Sequence, residues 1–412
     1  MTIKQRAARI AAAHGTPIWI YDAAVIRRQA QTLASFDTVR FAQKALSNLS
    51  VLRLMKQEGI KLDAVSLGEI ERAIRAGFDP KSNSSGASDL VYTSDVFDRQ
   101  TLSRVAELGI EVNLGSLDMI RQLGAVSPGH RVWIRINPGF GHGHSPKTNT
   151  GGPNSKHGIW HDQLPQALAL LDQHQLHLVG VHVHIGSGVD YAHLGQVCEA
   201  IAHVLEAIDR PIEALSAGGG LSVPYRDGDP QIDVEHYFSL WDAVRRRAEE
   251  QFGRPVRLEL EPGRYLVAES GALVCEVRAV KQQGANTFTL VDAGFNELIR
   301  PTLYGSYHRV SLLPQRPAGH EIQTIIAGPL CESGDVFTLE GDGSLRFETL
   351  DQPHPGDLIV FHNAGAYGST MSSNYNSRTF APEYLMDGDA SRLVRQRQTF
   401  DELFAPELAC LS

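Results

Sequence analysis

Short apolar, β-branched runs alternate with longer stretches of helical period between residues 39 and 262. The runs predict strands at 39–43 (VRFAQ), 61–66 (KLDAVS), 89–94 (DLVYTS), 111–115 (EVNLG), 131–136 (RVWIRI), 177–185 (HLVGVHVHI), 211–217 (PIEALSA) and 256–261 (VRLELE). Between them, 48–57, 67–76, 117–123, 191–208 and 236–252 carry the spacing of amphipathic helices. Strand–helix alternation specifies a parallel sheet. Eight such units are the number that closes a β/α (TIM-type) barrel. An open doubly wound sheet uses the same units, so the count favours the barrel without requiring it.

The pattern changes after about residue 270. Segments 272–283, 287–293, 322–329, 334–339 and 356–363 read as strands joined by turns, which predicts a separate, mostly-β domain. The early run PIWIYD (17–22) is strand-like and precedes the barrel pattern, so it is expected to pair with the second domain. The expected division is an N-terminal segment 1–26, a barrel 27–270 and a β domain 271–412. The stretch 137–158 (NPGFGHGHSPKTNTGGPNSKHG) is a long loop rich in Gly, Asn, His and Ser after the fifth strand. Its length predicts a lid over an active site.

Composition narrows the class. The 412 residues are 42% hydrophobic and 21% charged, the balance of a globular protein rather than a disordered or fibrous one. No apolar run approaches the ~18 residues of a membrane span. A net charge of −9 offers no basic surface for nucleic acid. The four cysteines, at 198, 275, 331 and 410, form no CxxC pair and are too sparse for a disulfide framework. The first twenty residues hold Lys4, Arg6 and Arg9 but no apolar core, which reads as an amphipathic helix rather than a targeting peptide. A reducing cytoplasm is the expected location.

Barrel active sites lie where the strands end. The first strand ends in Lys44, the sixth in His184, Gly186 and Ser187, the seventh in Gly218, Gly219 and Gly220, and the eighth in Glu261, Gly263 and Arg264. A desolvated lysine becomes a nucleophile able to form a Schiff base, though one at a strand end also snorkels to water. The glycine triplet bares backbone N–H groups for an anion, with Ser187 as an added donor, or is only a flexible turn. Glu261 at a dry rim needs a cationic partner, either a protonated pyridine nitrogen or Arg264. His182 and His184 share one face of a strand. That pair suits a metal, a core histidine, or an imidazole stacked flat on an aromatic ring. A lysine, a phosphate cradle, a stacking histidine and a carboxylate for a ring nitrogen together describe pyridoxal 5′-phosphate bound as a lysine Schiff base, with no metal.

These residues sit in stretches that resemble the bacterial diaminopimelate decarboxylases, of the alanine-racemase-like, fold type III pyridoxal-phosphate class. The matching stretches are FAQKALSN (41–48), VSLGEIERA (65–73), HVHIGSG (182–188), GGGLSVPY (218–225), EPGRYLVAESG (261–271), DAGFNELIRPTLYGSYH (292–308), GPLCESGDVF (328–337) and GAYGSTMSSNYNSR (365–378). The likeness runs over nearly the whole length, and CESGD with a distant NYNSR is its most specific part. Phe41 stands where the broader family often has Tyr, and Leu46 where Asn is common.

The resemblance implies a β/α barrel followed by a β domain. It also implies decarboxylation of meso-2,6-diaminopimelate to L-lysine. Lys44 would hold the cofactor, and His184 would stack on its ring. Ser187, Gly220 and the stretch containing Gly263 would contact phosphate and ring, with Glu261 on the pyridine nitrogen. Arg264, Arg300, Tyr304 and Glu332 would bind substrate, Cys331 would donate a proton, and Tyr367 would touch both cofactor and substrate. The site would be completed across a homodimer through Cys331 and Glu332.

Three rival functions can be weighed on the same residues. A racemase of this fold places an arginine on the pyridine nitrogen, and Glu261 argues against it. A non-catalytic cofactor carrier would not need Cys331 or the substrate arginines. A metal-dependent hydrolase would use the HxH pair, and metal analysis separates that case.

Overall fold

The computed structural model describes residues 3–81, 86–140, 151–184, 186, 190–317 and 319–411. The strands in chain order begin with β1 (Ile18–Asp22), β2 (Thr38–Ala42), β3 (Lys61–Ala64), β4 (Leu90–Ser94), β5 (Glu111–Leu114) and β6 (Arg131–Asn137). Next come β7 (Ile159–Trp160), β8 (His177–His182), β9 (Ala214–Ser216) and β10 (Arg257–Leu260). The rest are β11 (Gly271–Gln283), β12 (Asn286–Val291), β13 (Val310–Leu313), β14 (Glu321–Ala327), β15 (Glu348–Asp351), β16 (Leu358–Phe361), β17 (Glu383–Asp387) and β18 (Ala390–Arg395).

One compact unit comprises residues 29–222 and 231–266. Its parallel strands run in the order β5-β4-β3-β2-β10-β9-β8-β6, and β5 pairs with β6 to close the ring. The eight strands expected from the apolar runs therefore form a closed barrel, and the open-sheet alternative falls away. The two-residue β7 adds to the edge of β6. Several helices between the strands start on side-chain caps. Ser66, Asp98, Ser116 and Asp233 each accept a backbone N–H of the first turn. Helices Arg99–Leu108 and Leu164–Gln173 join those read from the sequence.

The barrel interior is not wholly apolar. Val91, Trp133, Val179 and Ala214 form a buried cluster. Beside it, Arg40 on β2 donates from Nε to Glu259 on β10 at 2.6 Å, with both side chains at 1% exposure or less. Trp133 and Arg131 both donate to Glu111, each at 3.0 Å. The two terminal nitrogens of Arg131 also grip Glu213, at 2.8 and 2.9 Å. Charge buried this deeply persists because each partner neutralises another.

The second unit comprises the chain up to Arg28, residues 223–230, and 267 onward. The expected span 27–270 is thus interrupted at 223–230. Contacts within this unit hold that loop: Asn363 Nδ2 donates to the Pro224 carbonyl at 2.9 Å, and Arg226 lies 4.6 Å over the Tyr307 ring. Strands run β15-β14-β12-β11-β1-β17-β18, and β16 bridges β11 and β13. β1 pairs antiparallel with β11 (Ile18 opposite Val274) and parallel with β17 (Trp19 opposite Glu383). The helix Ile3–His14 packs Ala7, Ile10 and Ala11 into the core formed by Ile18, Ile20, Val274, Val360 and Tyr384.

One expected strand, 334–339, is not a strand. Only isolated bridges occur there, Ala327 with Val336 and Leu339 with Leu345. The reason is Asp335, whose carboxylate accepts the Phe295 and Leu330 N–H groups at 2.7 Å each and folds the segment into a tight turn. Conversely, β13, β15, β17 and β18 carry too little apolar alternation to be legible. β18, for example, is exposed over Ala390–Leu393.

Candidate active site

In the barrel unit the rim is built from the ends of β2, β3, β8, β9 and β10. β2 runs into a 3₁₀ turn, Gln43–Ala45, whose flanking residues are buried. The Ala42 N–H donates to the Pro262 carbonyl at 3.2 Å, and Gln43 donates to the Glu69 carbonyl at 3.2 Å. Phe41 and Leu46 are core residues at 0% and 1% exposure, so the two departures from the family pattern pack inward. Lys44 itself is exposed, not desolvated as its strand-end position implies. Its ammonium nevertheless faces the rim, where its charge acts on Asp63, Glu69 and His184.

Glu261, at the end of β10, is 8% exposed. Its Oε2 accepts from His182 Nε2 at 2.7 Å and its Oε1 from Ser216 Oγ at 3.1 Å. These two hydrogen bonds come from His182 and Ser216, neither of which the sequence reading offered as a partner. Burial pushes this carboxyl up, but His182, with Arg40 and Ser216 behind it, outweighs burial and holds it below the usual range. Glu261 is therefore ionised. Each oxygen keeps a lone pair for one more donor.

Asp63 on β3 behaves oppositely. It is 3% exposed, and its Oδ1 has no hydrogen-bond partner among the described residues. Burial first, and then the charge of Glu261, push it well above the carboxylate range, against the pull of Lys44. Two buried carboxyls that act on each other thus split into an ionised one and a readily protonated one.

His184 accepts the Gly219 N–H at Nδ1, 2.9 Å away. That bond fixes the ring and leaves its proton on Nε2. Burial, then the positive charges of Arg135 and Lys44, drive its basicity far down, so the imidazole is neutral. The two histidines of HxH turn to different partners, Glu261 and Gly219. Among the described residues, no group of three His, Cys, Asp or Glu side chains is arranged to hold a metal ion.

The glycine triplet is a close packing of backbones. A Cβ at Gly219 would lie 2.5 Å from the Glu261 carbonyl oxygen and 3.2 Å from the His184 ring. Gly220 has φ +113°, and a Cβ there would meet the Gly186 carbonyl oxygen at 2.5 Å. Gly263 is buried and Arg264 half-buried at the start of the short helix Arg264–Val267. Ser187 lies outside the described residues, as do His142 and His144 of the 137–158 loop. The described part of that loop is tied down. Asn137 bonds Gly139, Gly152 and His157, and Asp95 accepts from His157 and the Gly158 N–H.

In the β unit, Arg300 opens the helix Arg300–Tyr304 and is 5% exposed, with Tyr304 half-buried at its other end. Cys331 and Glu332 are exposed on a turn. The Cys331 N–H donates to Asn376 Oδ1 at 3.1 Å, and Tyr375 donates its hydroxyl to Glu332 at 3.3 Å. Tyr367 has φ +56° and Asn376 φ +53°, left-handed conformations that a non-glycine residue adopts at a cost of order 1–3 kcal/mol. Such positions concentrate at functional sites.

Sequence reading missed Asp63, Ser216, Tyr225 and His308. An aspartate inside the apolar run KLDAVS was a usable signal, because a buried carboxyl needs a reason. Tyr225 and His308 lie in the matching stretches 218–225 and 292–308, but nothing there set them apart from their neighbours, and nothing marked Ser216.

The pyridoxal phosphate suggested by the sequence fits these residues. The rim offers a reachable amine, an ionised carboxylate with a spare lone pair, a neutral imidazole of fixed plane and a side-chain-free backbone. The profile of the pyridoxal-dependent decarboxylases, pyridoxal-binding domain, matches residues 22–268, which sets the class. The Escherichia coli diaminopimelate decarboxylase is 56% identical over 404 residues, 97% of this chain and 96% of that protein. The Streptomyces coelicolor diaminopimelate decarboxylase is 58% identical over 408 residues, 98% and 92% of the two. A diaminopimelate decarboxylase crystal structure superposes with a TM-score of 0.94 at 55% identity, covering 98% of this chain and 96% of that one. The Helicobacter pylori enzyme complexed with L-lysine gives 0.88 at 28% identity, covering 98% and 100%. The chain belongs to the diaminopimelate decarboxylase family.

Proposed function

We propose that the protein decarboxylates meso-2,6-diaminopimelate to L-lysine and carbon dioxide with pyridoxal 5′-phosphate. The observation that carries this reading is Glu261 held ionised by His182 and Ser216 at the barrel rim. When bound, the coenzyme supplies an electron sink whose protonated ring takes up the electron pair left by departing carbon dioxide.

The chain's own residues do the rest. Lys44 tethers the coenzyme through its amine. Glu261 keeps a positive ring nitrogen opposite a negative charge in a dry site. His184, neutral and fixed in plane by Gly219, would cover the ring face. Ser187, Gly220 and Gly263 would contact the phosphate and ring, and Arg264 and Tyr367 would each serve both coenzyme and substrate. Arg300 and Tyr304 take the carboxylate of the second amino-acid head, a role suited to a planar guanidinium. Glu332 takes that head's ammonium. The Cys331 thiol returns a proton to the carbon that lost carbon dioxide.

Cys331 and Glu332 are exposed in the single chain, whereas a proton donor works best away from bulk water. This supports a homodimer in which each subunit completes the other's site, and the four free cysteines suit a reducing cytoplasm.

The test is an absorbance spectrum of the purified protein before and after borohydride, followed by assay of carbon dioxide and lysine from meso-diaminopimelate. A long-wavelength band lost on reduction, with equal amounts of both products, supports the reading. Coenzyme binding without carbon dioxide release would leave a carrier or a racemase.

A further inference from the structure

Arg300 forms no ion pair among the described residues although it is buried. Its Nη1 donates to the Tyr225 hydroxyl at 3.1 Å and to His308 Nε2 at 3.3 Å, and its Nη2 donates to Ser306 Oγ at 3.3 Å. The guanidinium also lies 5.3 Å from the Tyr225 ring centroid. Tyr225 and His308 meet edge-to-face, 5.7 Å apart at 89°.

His308 is 2% exposed, and its protonation state follows from its partners. Its Nδ1 faces the His362 carbonyl oxygen at 3.0 Å. An oxygen of that kind only accepts, so Nδ1 carries the proton. Nε2 faces a guanidinium that only donates, so Nε2 presents its lone pair. The imidazole is a neutral acceptor.

Arg40 provides the contrast. There the buried guanidinium is neutralised inside the chain by Glu259. Arg300 is instead held by a phenol, an imidazole and a hydroxyl, none of which cancels its charge. A buried cation so arranged keeps its full attraction for an incoming anion.

We propose that Tyr225 and His308 are positioning residues that hold Arg300 for a ligand carboxylate, and so set the preference for an amino acid over the corresponding diamine. The proposal rests on the assignment of Arg300 to the second head of the substrate. Tyr225, Arg300 and His308 all belong to the β unit, so the cluster is complete within it.

L-Lysine and cadaverine differ only by that carboxylate. Their dissociation constants are measured on the coenzyme-loaded protein by calorimetry and by the change in coenzyme absorbance. His308→Leu and Tyr225→Phe each weaken lysine about tenfold, the loss of one hydrogen bond to a charged group, and leave cadaverine unchanged. His308→Gln, whose amide oxygen accepts in place of Nε2, restores most of the lysine affinity. Equal weakening of both ligands, or of neither, overturns the proposal. Arg300→Leu separates the two levels. If it leaves the lysine-to-cadaverine ratio intact, the assignment of Arg300 itself fails; if it collapses the ratio while the His308 and Tyr225 variants preserve it, only the positioning role fails. Should His308→Leu not fold, Tyr225→Phe, which removes a single hydroxyl, carries the test.

Discussion

His182 donates to Glu261 across 2.7 Å inside the barrel, and both side chains are buried. The imidazole lets the carboxylate stay ionised against the pull of burial. It also leaves His182 Nδ1 without a partner among the described residues, an unmet cost at the floor of the site.

This pairing predicts a shift in pH dependence. Glu261 is depressed in the folded protein, so its ionised form persists as pH falls until the pH reaches that lowered value. His182→Phe removes the largest lowering influence and leaves only Arg40 and Ser216 to oppose burial. The acidic limb of the kcat/KM profile should then move to higher pH by about one unit or more. An unmoved limb would assign that limb to another group.

Lys44→Ala should abolish the long-wavelength absorbance of the coenzyme-loaded protein and any covalent label introduced by borohydride. Mass spectrometry of the reduced protein reads this directly. A coenzyme adduct retained on the variant would place the tether on another lysine.

Cys331→Ala should lower kcat on the order of 10²–10⁴-fold, the usual worth of a positioned general acid. Melting temperature should barely change, because Cys331 is exposed in the single chain. Stopped-flow detection of carbon dioxide against lysine should show release of gas outrunning formation of amine. Coincident rates would move the proton donor elsewhere.

Glu259→Ala leaves Arg40 buried with the Ser88 carbonyl as its one hydrogen-bond partner among the described residues. Stability should fall by about 3–5 kcal/mol in denaturant titration. The double variant Arg40→Met with Glu259→Leu should recover most of that loss, because a matched apolar pair carries no stranded charge. A double variant as unstable as the single one would show that the ion pair has a role beyond neutralisation.

Much of the site was visible along the chain because strand ends are marked locally. Lys44, His184, Glu261 and the glycine triplet each follow an apolar run, and in a closed barrel those positions share one rim. The partner of Glu261 was not visible. His182, Ser216, the coenzyme nitrogen and Arg264 are all chemically able to meet a carboxylate, and only side-chain geometry chooses among them. The turn at 334–339 was misread for a similar reason. VFTL has the composition of a strand, and a carboxylate just before it folds the preceding segment back on itself.

The sequence by itself determined the alternation of strands and helices, the switch to a β domain and the residues with the reactivity for coenzyme chemistry, since these depend on side-chain type and on spacing within one element. The tertiary structure decided which carboxyl is charged, how Lys44 is presented and what holds Arg300. Those outcomes turn on burial and on distances between residues far apart in the chain, such as Arg300 and Tyr225, and electrostatic energy depends on just these quantities.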